Sequence, residues 1–268
     1  MWRRIVVMSA VVTCMVAAIC SAQTVPDEKT LWSIWKMNSD NSDDHKNIIN
    51  ACAKFKKSAR SDPFTVVTDG IAAWHYLKIG NRTAATELLT PALSTRSTTT
   101  LNKIAAYIAR TWLTRIDMEI VKQALEIVYH EEIEYPATLD KLKEFTVKQP
   151  PMTDQWGDPW IYKLVSLKYL TNINGQKYEI ESRTLRHNSD LSTALNIPYA
   201  AKISLKPSSL GRDNTTVRFV TTDDTRQDIY IALDSTREGI TVAYIGDKLL
   251  IISDGNHWAV MPKPKTAW

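Results

Sequence analysis

One stretch limits what this chain can fold into more than any other. From Leu101 to Glu132 there is no proline and no glycine, and Ile104, Ile108, Trp112, Ile116, Ile120, Ala124, Ile127 and Val128 recur at three- and four-residue steps. That spacing predicts one long helix with a single apolar stripe. Tyr135-Pro136 follows, and proline neither continues a helix nor leaves its predecessor free to be helical. A rod of roughly 48 Å at 1.5 Å per residue cannot bury its stripe alone, so the flanking sequence must supply its partners.

Upstream, residues 45–97 read as helices. Ile48, Ile49, Cys52 and Phe55 share one face. Asp62-Pro63 marks a restart, with Asp62 expected as N-cap and Pro63 at the first helical position. Val66, Val67, Ile71, Trp74 and Leu77 carry the next helix, Gly80 ends it, and Asn81 caps a third holding Ala84, Ala85, Leu88 and Leu89. This is either a tetratricopeptide-like hairpin or a plain bundle. No second copy appears at the repeat period. Residues 23–44 are polar and read as a loose lead-in carrying Trp32 and Trp35. Downstream, Thr138 caps a short helix from Leu139 to Phe145. After that, short alternating runs separated by Gly, Asp and Asn turns predict strands at 203–205, 217–220, 229–233, 240–245, 249–252 and 258–261. Helices first and strands later define an α+β chain: N-terminal helical hairpins, a long helix with a small antiparallel sheet, and a C-terminal small β-barrel-like domain over 196–268.

The order of three elements after the long helix is distinctive. Ala124, Leu125 and Tyr129 lie on the helix. Tyr135, Pro136, Leu139 and Leu142 form a turn and short helix. Asp154, Trp156, Gly157, Pro159 and Tyr162 form a loop entering a strand. This order resembles the major pseudopilin (the G-type subunit) of type II secretion systems, over about residues 101–190, within an expected α/β unit at 98–195. The resemblance implies a long helix backed by a small antiparallel sheet, with these twelve residues in structural roles. Residues 201–262 more loosely resemble small periplasmic β-domains of secretion and pilus assembly proteins. Two features depart from the family. No prepilin-peptidase site precedes Ile5, so filament assembly is not implied. The family's Asp- and Gly-rich calcium loop is replaced by residues 183–190, with one acid, two arginines and no glycine. Calcium takes six to eight oxygen ligands, so no metal site is carried over.

The N-terminus reads as an address. Trp2-Arg3-Arg4 precedes an apolar run from Ile5 to Cys20, and Cys20-Ser21-Ala22 offers small residues to a signal peptidase. Residues 1–22 are therefore expected to be a signal peptide, with a retained anchor as the alternative, and the chain is expected in the periplasm or envelope of a Gram-negative-type bacterium. Of three cysteines only Cys52 lies beyond the signal, so no internal disulfide is available to the mature chain. The net charge of +4 owes two units to Arg3 and Arg4, which leaves no electrostatic footprint for nucleic acid. Eight glycines in 268 residues leave little room for phosphate-cradling loops. His130-Glu131-Glu132-Ile133-Glu134 has Glu134 where a zinc protease helix needs its second histidine. The five histidines (45, 75, 130, 187 and 257) are scattered in sequence, and none pair at ligand spacing. The expectation is a non-enzyme without cofactor or metal that binds secretion or pilus components of the envelope. The alternative is a free-standing periplasmic ligand-binding or sensor protein.

Overall fold

A computed structural model describes residues 27–40, 43–59, 62–94, 98–145, 149–168, 174–197, 199, 205–221 and 227–266. The expected signal peptide at 1–22, residues 203 and 204 of the first expected strand, and residues 95–97 of the 94–100 turn lie outside these.

Five helices come first: α1 (Glu28–Asp40), α2 (His45–Ser58), α3 (Thr65–Lys78), α4 (Arg82–Ser94) and α5 (Thr100–Glu132). The lead-in is not loose. Leu31, Ile34 and Trp35 recur at helical spacing and are buried, while Trp32 lies partly buried against the same core. The polar flanks at 26–28 and 38–44 hide that short stripe in the sequence. Glu28 anchors the start of α1, where its carboxylate accepts from the Tyr244 hydroxyl at 3.0 Å and from the backbone N–H groups of Asp247 and Lys248 at 2.9 and 2.8 Å. The restart at Asp62 also differs from expectation. Helix α3 begins at Thr65, and Asp62 serves the turn before it, with one oxygen accepting from Phe64 N–H and the other from Asp27 N–H. Gly80, at φ +77°, turns α3 into α4, and Asn81 Oδ1 accepts from Ala84 N–H.

Helix α5 spans 33 residues. The Thr99 side chain accepts from Asn102 N–H at its start, and Ile133 closes it in the left-handed conformation. The single stripe is a correction. Ile120 and Ile127 are exposed, and the buried residues beyond Ile116 are Met118, Val121, Ala124, Leu125 and Val128. At 100° per residue, that set lies about half a turn around the axis from Leu101, Ala105, Ile108 and Trp112. At the crossover, Thr111 through Ile116 are all buried. One helix therefore serves two cores on nearly opposite faces.

The first core joins α1–α4, the N-terminal half of α5 and the C-terminal strands. Those strands are β3 (Leu205–Leu210), β4 (Thr216–Thr221) and β5 (Asp228–Ala232) in one antiparallel sheet, and β6 (Thr236–Arg237), β7 (Ile240–Ile245), β8 (Leu249–Ser253) and β9 (Trp258–Pro262) in another. An isolated bridge at Leu233–Val242 links their margins and another ties Leu210 of β3 to Thr266 beyond β9, but among the described residues the sheets do not close into a barrel. Strand β8 pairs with β7 on one edge and β9 on the other and is buried at every position. The second core is smaller. It packs the C-terminal half of α5 against a 3-10 turn (Leu139–Lys141), α6 (Leu142–Phe145), and a hairpin of β1 (Ile161–Lys168) and β2 (Asn174–Glu181). A short helix, α7 (Leu191–Leu195), returns the chain to the first core.

Candidate functional site

Six of the twelve motif residues, Ala124, Leu125, Tyr135, Leu139, Leu142 and Tyr162, come together in the second core. Ala124 and Leu125 are buried on the inner face of α5, with Leu142 beneath the turn and Leu139 and Tyr162 at the margin. Tyr135 stacks on Tyr129 at 4.6 Å and meets the edge of Tyr178 at 4.7 Å. The Tyr162 hydroxyl donates to the carbonyl of Pro136 at 2.8 Å, and the Tyr135 hydroxyl to Glu126 at 3.1 Å. Burial pushes the Tyr162 phenol up to about 12; burial and the Glu126 carboxylate raise Tyr178 and Tyr135 too. These tyrosines are therefore protonated donors that fix the turn against the helix.

Asp154 organises the loop. It is buried, one oxygen accepts from the N–H groups of Trp156 and Asp158, and the other accepts from the Ser182 hydroxyl at 2.7 Å. Gly157 sits at φ +87°, where a side chain would be strained. Pro159 bridges Thr153, and Trp160 Nε1–H donates to the carbonyl of Pro151. The loop docks on the crossover of α5: Gln155 N–H donates to Thr114 Oγ1 and Gln155 Nε2 to Asp117, while Trp156 packs edge-on to Tyr107. Nearby, Arg115 is buried, donates to the Asn188 carbonyl and Asn256 Oδ1, and lies over the Trp112 ring at 4.5 Å. In segment 183–190, Asp190 caps α7 and pairs with Lys122 at 2.7 Å. Burial alone would raise its pKa, but Lys122 and the Thr193 N–H hold it well below the usual carboxylate range. Among the described residues, no three His, Cys, Asp or Glu side chains are arranged to hold a metal ion.

Two histidines that look unrelated in sequence meet in the first core. His45 and His75 approach Nδ1 to Nδ1 at 2.9 Å, and His75 Nε2 lies 2.8 Å from Asn38 Oδ1. His75 Nε2–H therefore donates to Asn38, and its Nδ1 accepts from His45 Nδ1–H. Burial, reinforced by His45 and Lys78, pushes His75 down to about 3; burial and Lys78 lower His45. Trp74, Tyr199 and the buried His257 complete an aromatic cluster. The only sequence signal for it was the helical placement of His45 and His75, because thirty residues separate them. His187 is exposed, and His130 lies at the exposed end of α5.

Cys52 is buried and reduced, and burial raises its thiol to about 12. It forms part of the floor of an open cleft of about 660 Å³ between α2, α3 and α4, beside Ile49, Ala72 and Leu88, with the Lys56–Asp69 ion pair at 2.8 Å. No helix among the described residues is long and apolar enough to cross a membrane. Compared with known proteins, the chain matches no family model, no curated protein and no solved structure.

Proposed function

We propose that this is a non-enzymatic, exported envelope protein that uses a pseudopilin-like unit and a barrel-like pair of sheets to bind components of a type II secretion or type IV pilus machine. The observation that supports this reading is that six of the twelve motif residues, Ala124, Leu125, Tyr135, Leu139, Leu142 and Tyr162, meet in one small core, with the Asp154–Pro159 loop docked beside it on α5. Three separated stretches meet there, and each polar motif side chain with a resolved partner is spent on holding the turn or the loop. A unit built that way presents shape, and the N-terminal address would deliver it to the envelope. In-cell crosslinking followed by affinity recovery of the tagged chain tests the proposal. Secretin, pseudopilin or pilus components should be recovered with it. Recovery of none of them from cells that contain the machine would overturn it.

A ligand-binding role is the second reading, and the cleft beside Cys52 favours it. Its exposed lining is mostly apolar, with Lys56, Lys57, Asp69, Thr65 and Tyr76 as polar groups, a make-up compatible with a small-molecule site. Thermal shift against a panel of apolar acids would test it. A rise in melting temperature that Lys56→Ala abolishes supports this reading, and no shift across the panel removes it.

A further inference from the structure

The hairpin of the second core has a free edge. A two-stranded sheet is marginal unless packed or extended, and here one face packs on α5 while the outer edge of β2 does not pair. Among the described residues, no backbone hydrogen bond joins Gln176–Glu181 to anything except β1. Successive residues 176 to 181, together with Ile161 and Lys163 of β1, line an open groove of about 830 Å³ that also takes in Met118 and Lys122 of α5, Arg186 and Asp190. Six consecutive positions, from both faces of the strand, put the groove along β2, and Ile161 and Lys163 extend it over the outer face of the hairpin onto β1. The strand is regular, carries no proline and has no bulge against β1.

The charges on its open face select a partner. Tyr178 and Ile180 turn toward α5, while Lys177 and Glu179 are exposed on the other face. Two copies of β2 related by a two-fold axis normal to the sheet pair antiparallel, with residues of one face opposite each other. A two-fold at residue 177 sets Lys against Lys. One at 179 sets Glu against Glu, and one at 180 sets Glu179 against Glu181. A two-fold at Tyr178 sets Lys177 against Glu179 of the second copy, twice by symmetry. Within the hairpin, Glu179 already stands opposite the exposed Lys163, so this register continues an alternating ladder of Lys163, Glu179 and the second copy's Lys177.

We propose that the edge of β2 is a self-association surface, where two copies join into a four-stranded sheet by β-augmentation in the register centred on Tyr178. The inference stands whether or not the protein serves a secretion machine. Sedimentation velocity on protein expressed from the full sequence tests it, with circular dichroism to check that each variant folds. The unaltered chain should dimerise. Lys177→Glu, whose neighbour across the hairpin is Val165, places Glu against Glu in the dimer, and Glu179→Lys places Lys against Lys. Each alone should weaken dimerisation by about tenfold or more. An equimolar mixture of the two should restore it, because the carboxylate introduced at position 177 of one copy then faces the ammonium introduced at position 179 of the other, and the second pair keeps its native charges. A chain that is monomeric up to its solubility limit overturns the proposal. So does a dimer indifferent to both substitutions, or one that the mixture fails to restore.

Discussion

The two ends of α5 fold by different rules. Its N-terminal half lies in a core with contributions from residue 31 to residue 260, centred on the fully buried Trp74, Trp112 and Trp258. Its C-terminal half lies in a core drawn from residues 118–180, small in aliphatic content and edged by four tyrosines that spend ring faces on one another and hydroxyls on Pro136 and Glu126. Both combine buried area with aromatic ring contacts, the first around Trp74 and Tyr199, and the second sets charge-assisted hydrogen bonds from its tyrosines to Glu126 beside a smaller burial. A single helix can join them because its buried face swings about half a turn at residues 111–118. What looks like poor amphipathicity over 33 residues is two well-defined faces in succession.

Substitutions can pull the two regions apart. Trp258→Ala should have the largest effect. The ring is fully buried and lies so close to Gly70 that a Cβ there would be 2.8 Å from Nε1. A loss of about 3–5 kcal/mol in chemical denaturation is expected. Leu125→Ala empties the centre of the smaller core and should cost about 2–4 kcal/mol in the same measurement. If the two losses came in the reverse order, the tyrosine-edged core would be the dominant one.

The histidine pair gives the first core a pH signature. His75 is neutral in the folded state, held near 3, and its unfolded value is the ordinary 6.5. Below 6.5 the unfolded chain therefore binds the extra proton, and stability contributed by the neutral ring is lost as pH falls from 6.5 toward 3. Between pH 7 and pH 5 the loss should be on the order of 2 kcal/mol. His75→Gln should flatten that segment of the stability profile. An unchanged profile would mean that the imidazole is not held neutral.

The smallest effect has the opposite sign. Ile133 is β-branched, 77% exposed, and sits at φ +63° as the C-cap of α5. Left-handed backbone costs such a residue roughly 1–2 kcal/mol and costs glycine nothing comparable. Ile133→Gly should therefore stabilise the end of the helix by up to about 1 kcal/mol, read as a rise in melting temperature.

The turns around the second core were legible in the sequence because their geometry is local, while the separate core they frame was not. Pro136, Gly157 and the Tyr and Trp residues mark turns whose geometry is local, and Leu139, Leu142 and Tyr162 follow within one hairpin's reach of Ala124. The first core was legible only in pieces. Strands β4, β5 and β7–β9 were readable from alternation and Gly or Asn turns, whereas β6 spans just Thr236 and Arg237 and carries no apolar signal. Helix α1 hid behind its polar flanks, since Leu31, Ile34 and Trp35 make sense only against Tyr199 and the strands. The His45–His75 contact depends on how α2 packs on α3, which no local pattern specifies. Ile120 and Ile127 were misplaced because one helical period was run through a crossover that only the tertiary partners define.

Two cores share α5 yet pack as separate clusters. Hydrogen exchange read by mass spectrometry on Leu125→Ala tests this directly. Exchange should quicken in 118–132 and 139–181 while 45–78, 101–112 and 240–260 keep the protection of the unaltered protein. Equal quickening across all of these segments would mean one cooperative core and would contradict the account.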